Sequence, residues 1–253
     1  MALENSRNAV EKEEAKLQAE SEKLRATLLR SISHDLRTPL TAISGNASIL
    51  LSDSEHLDPD ARKQMYEDIY DDSAWLHNLV ENLLAITKIE EGCMELKTQP
   101  QLVEEIVSEA MQHISRKRDE HIITVTHEND LLLAQCDAKL IVQTIINLVD
   151  NAIKYSPAGS HIWVSTRWED SMAVFTVADD GPGIPDQEKK QIFQMFYTGS
   201  TAIADSRRSL GLGLSLCKSI VTAHGGTITV SDNQPVGTVF TFTIPAGEVE
   251  VHE

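Results

Sequence analysis

Apolar residues change their spacing part-way along this chain, and the change limits it to two kinds of folded unit in series. Through the first ninety residues they recur at steps of three and four. Leu29, Ile32, Leu36, Leu40, Ile43, Ala47 and Leu50 form one series; Met65, Ile69, Leu76, Leu79, Leu83 and Ile86 form another, with Asp72 in its one polar slot. Such steps place side chains on one stripe of an α-helix. Farther on, Ile162–Trp168 and Ala173–Ala178 read as strands with one buried face. A chain of 253 residues, 41% hydrophobic, holds one ordinary core plus an elongated helical module.

The first long helix ends near Leu51. Ser52 to Pro59 is polar, and Asp58-Pro59 opens a second helix with proline in its first turn, which Gly92 closes. Two antiparallel helices with narrow apolar stripes cannot cover each other fully, so pairing with a second copy into a four-helix bundle is expected. Residues 1–28 carry Leu3, Val10, Leu17 and Leu24 at sevens beside a polar column of Ser6, Glu13, Glu20 and Thr27. That reads as a weak coiled-coil helix entering the bundle, or as a solvated single helix.

His34 lies in the sequence SISHDLRTPLT, two residues from both Ile32 and Leu36, which puts it off the stripe and facing outward. Thr38 is one turn along the same face. Pro39 has no N–H for the carbonyl of Asp35, so it should loosen the helix beside the histidine. An exposed imidazole, an adjacent carboxylate and a distorted helix suit a phosphoryl acceptor; the same pattern also fits a surface histidine on a coiled coil.

Net charge is −17, with 22 basic against 39 acidic residues, which argues against a nucleic-acid partner. Cys93, Cys136 and Cys217 are few, odd in number and far apart, the pattern of reduced thiols rather than a metal cluster. No apolar run reaches the length of a membrane span and no signal-peptide pattern opens the chain, so a soluble segment is expected.

After a linker at Thr98-Gln99-Pro100, the pattern predicts a helix from Leu102 to about Ser115 and strands at Ile122–Thr126 and Leu131–Gln135. Asp137 is placed to cap a long helix, Ala138–Tyr155, that stops before Pro157. A hairpin turning at Glu169 to Ser171, a short helix from Pro185 to about Phe196, a polar stretch from Thr198 to Ser209 and a helix from Gly211 to His224 follow. Strands Thr227–Ser231 and Thr238–Ile244 complete a mixed sheet with helices on one face.

Four stretches of this second part carry chemistry together. Asn147, Asn151 and Lys154 fall at steps of four and three on one helix face; amide oxygens suit Mg²⁺ and an ammonium suits phosphate. Asp179-Asp180-Gly181-Pro182-Gly183 follows a strand. A carboxylate there can accept from the exocyclic amine of adenine, and the glycines let backbone pass close to a flat ligand. Ile192-Phe193-Gln-Met-Phe196-Tyr197 leads into the polar stretch, which includes Arg207 and Arg208 and has the length of a functional lid. Gly211-Leu-Gly213-Leu at a helix start offers backbone N–H groups to phosphate. Singly, each also fits a polar stripe, a tight turn, a packing cluster or a helix cap.

In order and spacing these residues resemble the cytoplasmic core of bacterial two-component sensor histidine kinases. HDLRTPL resembles the family's histidine box, Asn147–Tyr155 its asparagine box, DDGPGI and GLGL its glycine boxes, and IFQMFY its phenylalanine box. The wording around His34 is most similar to the potassium-sensing KdpD-type branch. The resemblance implies an all-α helical hairpin forming a dimeric four-helix bundle, followed by an α/β sandwich of the gyrase and histidine-kinase ATPase type. The expected layout is an entering helix over 1–28, a dimerisation and phosphotransfer domain over 29–97, an ATP-binding domain over 98–247 and a tail over 248–253.

By the same resemblance, His34 accepts the γ-phosphoryl of ATP, Asp35 orients or deprotonates it, and Thr38 positions water for dephosphorylating a response regulator's receiver domain. Asn151 ligates Mg²⁺, Asn147, Lys154 and Tyr155 serve metal and nucleotide, and Asp179 reads adenine with Gly181 and Gly183 beside it. Gly211 and Gly213 hinge the lid and meet the phosphates. The whole protein is expected to be membrane-attached, with this part cytoplasmic. Thr198 stands where the family often has arginine and Ser209 where it often has glycine, which leaves Arg207 or Arg208 for the phosphate contact. Two other functions remain open. An ATPase on the same sandwich needs a water-activating glutamate where this chain has Asn147, and a phosphatase-dominant or non-catalytic scaffold would fit the altered lid.

Overall fold

The computed structural model describes residues 36–53, 56–90, 96–114, 120–199 and 211–247. His34, Asp35, Arg207, Arg208, the helix expected over 1–28 and the tail lie outside the described residues, as does the distortion expected between Pro39 and Asp35. The chain divides into two compact units, Met1–Glu81 and Asn82–Glu253.

The helices of the first unit are α1, over residues 36–53, and α2, Pro59–Glu90, which runs past the unit's end. The turn between them works as its sequence predicts. Asp58 accepts the Ala61 N–H through its carboxylate at 3.3 Å, and Pro59 begins the helix where no donor is needed. Leu79 and Asp72 of the α2 stripe are buried, at 6% and 4% exposure. Leu40, counted in the α1 stripe, is 57% exposed, and Val80 and Leu84 remain nearly half exposed within a single chain. No helix among the described residues is long and apolar enough to cross a membrane.

The second unit is a two-layer sandwich. Its sheet runs β2 (Ile122–His127), β4 (His161–Glu169), β5 (Met172–Asp179), β7 (Thr238–Pro245), β6 (Ile228–Asp232), parallel only between β2 and β4. Helix α4 (Ala138–Tyr155) packs between α3 (Val103–Gln112) and α6 (Gly213–Ala223) and against β5. Ile141, Ile145, Leu148 and Val149 of α4 are fully enclosed with Ile106, Val107, Leu216 and Ile220 of its neighbours and with Ile162, Val177, Phe175 and Phe242 of the sheet. Phe175 and Phe242 stack at 4.6 Å between centroids. Each such side chain contributes about 1.5–3 kcal/mol by leaving water. On the other face Thr126, Ser165, Thr176, Thr241 and Thr229 line up in one row across all five strands, beside apolar residues such as Trp163 and Val174.

The β4–β5 hairpin turns at Asp170 and Ser171, whose φ values of 49° and 64° make the two-residue turn that matches strand twist. Three expectations need correction. Thr98-Gln99-Pro100 is not simply linker: Gln99–Leu102 forms strand β1, which pairs antiparallel with β3 (Leu133–Cys136) in a separate two-stranded sheet. Pro100 is tolerated because an edge strand can lack a donor. Asp137 occupies the cap position of α4 without a capping side-chain bond. Its carboxylate instead accepts the Lys97 N–H at 3.3 Å, and its own N–H donates to His224 Nε2 at 3.1 Å. The helix expected from Pro185 to Phe196 is regular only over α5 (Asp186–Lys189), then continues as turns to Phe196, whose φ is 65°.

His224 closes α6. Its Nδ1 lies 2.8 Å from the Ile220 carbonyl while Nε2 takes the Asp137 N–H, so one buried ring ties the end of α6 to the start of α4. The fold also fastens its own ends together. Gly247 donates its N–H to the Leu133 carbonyl at 2.9 Å, and Ala246 bridges Ala134, beside the β1–β3 pair.

Candidate functional site

The last turns of α4 separate two faces. Leu148, Val149, Ala152 and Ile153 are buried, whereas Asn147, Asn151, Lys154 and Tyr155 are half-buried. Pro157 forces the preceding residue out of the helical region, and Ser156 leaves the helix with φ −98° and ψ 146° while its N–H still bonds to the Ala152 carbonyl. Lys154 Nζ lies 5.4 Å from the Tyr155 ring centroid.

Asp179 ends β5 at 5% exposure. Its Oδ1 accepts the N–H groups of Gly181 at 2.9 Å and Thr238 at 3.2 Å, and its backbone carbonyl accepts the side-chain amide of Asn233 at 2.8 Å. Burial pushes the carboxyl above the ordinary carboxylate range. The two N–H groups and the Thr238 hydroxyl act against that, and the Asp180 charge adds to it. Asp180 is held apart, its Oδ1 accepting the His161 N–H at 2.9 Å. The carboxylate of Asp179 is therefore fixed in place, largely dry, and able to accept a further hydrogen bond from a flat donor.

Glycines shape the space around it. A Cβ on Gly181 would lie 2.7 Å from Ser156 Oγ and 2.9 Å from Asp179 Oδ1. Gly183 has φ 77° and faces the Gly237 carbonyl, and a Cβ on Gly237 would collide with the Asp179 carbonyl oxygen. The turn between β6 and β7 thus lies directly against the Asp179–Gly183 loop.

Gly213 is the first residue of α6, and its missing Cβ would be 3.7 Å from Asn147 Oδ1. Gly211, expected at the helix start, lies two residues earlier with φ 65°. A side chain there would meet the Tyr197 carbonyl at 2.5 Å, and its own carbonyl accepts the Phe196 N–H at 3.0 Å. Gly211 therefore pins the corner that follows Ile192 and Phe193, with Phe193 edge-on to Phe240 at 6.3 Å.

Thr38 is exposed on α1 in the first unit. The second unit brings Asn147, Asn151, Lys154 and Tyr155 onto one helix, Asp179, Gly181 and Gly183 onto one loop, and Gly213 against Asn147. Sequence reasoning missed Asn233, Gly237 and Thr238. The signal available was a Gly-Thr pair opening an alternating strand, which marks close backbone approach. Cys136 and Cys217 are buried thiols pushed up to about 12 by desolvation, so neither serves as a nucleophile.

The donor set fits Mg²⁺. The oxygens available on this face of α4 include the amides of Asn147 and Asn151, both half-buried. Mg²⁺ takes few protein ligands and completes its shell with phosphates and water. The Asn147 side chain interacts with the buried Cys217 thiol, and its Oδ1 faces Gly213 at the start of α6.

Two family models match this chain. Residues 24–92 match the His Kinase A (phospho-acceptor) domain, and residues 136–248 match the histidine kinase-, DNA gyrase B- and HSP90-like ATPase. The chain belongs to the sensor histidine kinases. The first match of this histidine kinase spans His34, Asp35 and Thr38; the second spans every site residue from Asn147 to Gly213. Sensor protein KdpD of Clostridium acetobutylicum is 44% identical over 97% of this chain and 27% of its own length. The signal transduction histidine-protein kinase/phosphatase MprB of Mycobacterium avium is 32% identical over 90% of this chain and 44% of its own. Histidine kinase ThkA, solved in complex with response regulator protein TrrA, superposes with a TM-score of 0.58 at 26% identity, over 86% of this chain and 60% of that one. The chain thus spans about a quarter to under half of the length of these two curated relatives.

Proposed function

We propose that this kinase core binds ATP in its second unit, transfers the γ-phosphoryl to His34, and passes it to an aspartate of a response-regulator receiver domain. The observation that carries this is the buried Asp179 carboxylate, held by Gly181 and Thr238 N–H groups beside a helix face bearing Asn147, Asn151 and Lys154. Asp179 accepts the exocyclic amine of adenine, Gly183 passes close to the base, and Tyr155 lines the pocket. Lys154 attracts the phosphates, while the N–H groups before α6, at Gly211 and Gly213, meet them at the helix's positive end. Asn151, with Asn147, holds Mg²⁺, which when bound neutralises phosphate charge. Arg207 or Arg208 supplies the remaining phosphate contact in place of the arginine that Thr198 replaces.

His34 attacks the γ-phosphorus through a neutral imidazole nitrogen and ADP leaves, while Asp35 accepts a hydrogen bond from the other ring N–H and balances the positive charge the ring develops. Catalysis is then mostly positioning and electrostatic stabilisation. An amide at position 147 cannot deprotonate water, which favours transfer to a side chain over free hydrolysis. We further propose a homodimer through the α1–α2 hairpin, domains at 29–97 and 98–247, and a cytoplasmic location for this core within a membrane-attached sensor. The names of KdpD, MprB and ThkA as sensor, kinase/phosphatase and regulator-bound kinase support the kinase, phosphatase and regulator-binding parts of this reading.

Incubation with γ-labelled ATP tests the reading. Acid-labile, base-stable label on the protein is expected and should vanish in His34→Gln. Phosphate release without labelled protein would identify an ATPase. A phosphatase-dominant scaffold would give little label yet dephosphorylate the regulator. Thr38→Ala should keep autophosphorylation and lose regulator dephosphorylation; equal loss of both would refute Thr38's assigned part.

A further inference from the structure

Ser156 is nine-tenths buried, and its hydroxyl has no hydrogen-bond partner. Its backbone N–H is already satisfied by Ala152, so the side chain contributes nothing to ending α4 that Pro157 does not already enforce. An orphaned buried hydroxyl is destabilising relative to a satisfied one, and alanine would fill the same position without that cost. The hydroxyl is also in a particular place. Its oxygen and Asp179 Oδ1 both crowd the place a Gly181 Cβ would take, at 2.7 and 2.9 Å, so the two oxygens stand on the same side of that glycine. An adenine base offers a donor, its exocyclic amine, directly beside an acceptor, the adjacent ring nitrogen N1. A fixed carboxylate next to a hydroxyl presents the complementary pair.

We propose that Ser156 is a base-contacting residue of the nucleotide site: Asp179 accepts the exocyclic amine, and the Ser156 hydroxyl donates to N1, directly or through one water. The proposal rests on the assignment of ATP to this site and deepens it. Asp179 sets which base is accepted; Ser156 adds affinity for it. The hydroxyl left unpaired in the empty pocket becomes satisfied when the base arrives.

Calorimetric titration of the full chain with ADP and with 1-deaza-ADP, in which N1 is replaced by C–H, tests this. Wild type is expected to bind the deaza compound about tenfold more weakly, the loss of one buried hydrogen bond. Ser156→Ala should bind ADP about tenfold more weakly and no longer distinguish the two ligands, while its thermal midpoint without nucleotide stays level or rises. Equal wild-type affinity for both ligands overturns the proposal, and that comparison needs no variant. A Ser156→Ala protein that keeps wild-type ADP affinity, or that weakens but still discriminates against the deaza ligand, also overturns it. Asp179→Asn separates the two levels. If it binds ADP like wild type, the adenine assignment itself falls; if it loses ADP while Ser156→Ala keeps it, only the Ser156 contact falls.

Discussion

Burial and hydrogen bonding pull the Asp179 carboxyl in opposite directions, and burial prevails. The native state therefore holds a proton there more tightly than the unfolded chain. Stability contributed by this group falls as pH rises from the ordinary carboxylate value through the raised native one. Asp179→Asn removes that slope. Its amide oxygen can keep the Gly181 and Thr238 N–H groups, which turns the NH₂ toward the base amine, donor against donor. We expect ATP affinity to drop at least about tenfold, as for a charged hydrogen bond lost, while the empty protein is as stable or more so. Urea unfolding of both proteins across that pH interval checks this, and parallel stability curves would contradict it. Asp179, Gly181 and Gly183 were legible because a strand ended on an acid and ran into glycines. Thr238, Asn233 and Ser156 were not. The β5–β7 register brings Thr238 to a carboxylate 59 positions earlier, and nothing in local spacing records a pairing between strands.

Among the elements, α4 was the most legible, because its buried stripe, polar face and terminating Pro157 all act within the helix. Its N-terminus was not, since the group that meets the Asp137 N–H is His224, 87 positions away. His224→Ala leaves that N–H without its ring acceptor in a buried setting. It should cost about 1–3 kcal/mol in urea unfolding with the labelling chemistry intact; an unchanged midpoint would show the ring is dispensable. The shortened α5 has a similar origin. Ile192, Phe193 and Phe196 mimic helical spacing, yet Gly211 captures the Phe196 N–H from outside and the chain turns with a positive φ. Strand β1 was hidden because Gln-Pro-Gln reads as linker until β3 is there to pair with it.

At the scale of the molecule, the two-unit organisation was visible in the change of apolar period, and dimerisation followed from stripes too narrow to cover each other. Val80 and Leu84 keep that apolar surface open on α2 in a single chain. We expect light scattering to report a dimer for the intact chain and a shift toward monomer for the Val80→Lys, Leu84→Lys double variant, with ADP affinity unchanged because both side chains are on α2, which contributes no residue to the candidate nucleotide site. A dimer that survives both charges would move the interface elsewhere.

The clasp at β3 has a consequence for how such a unit can be inherited. Residues 99–102 and 246–247 meet the same short strand, at the end of the sheet where Met172 pairs with Pro245. Asp179 closes the opposite end of β5, roughly 20 Å away at about 3.3 Å per residue. Residues 99 and 247 both leave the sheet at the end remote from the Asp179 carboxylate. Fusions, truncations and shuffled neighbours can accumulate at that seam without touching the pocket's chemistry.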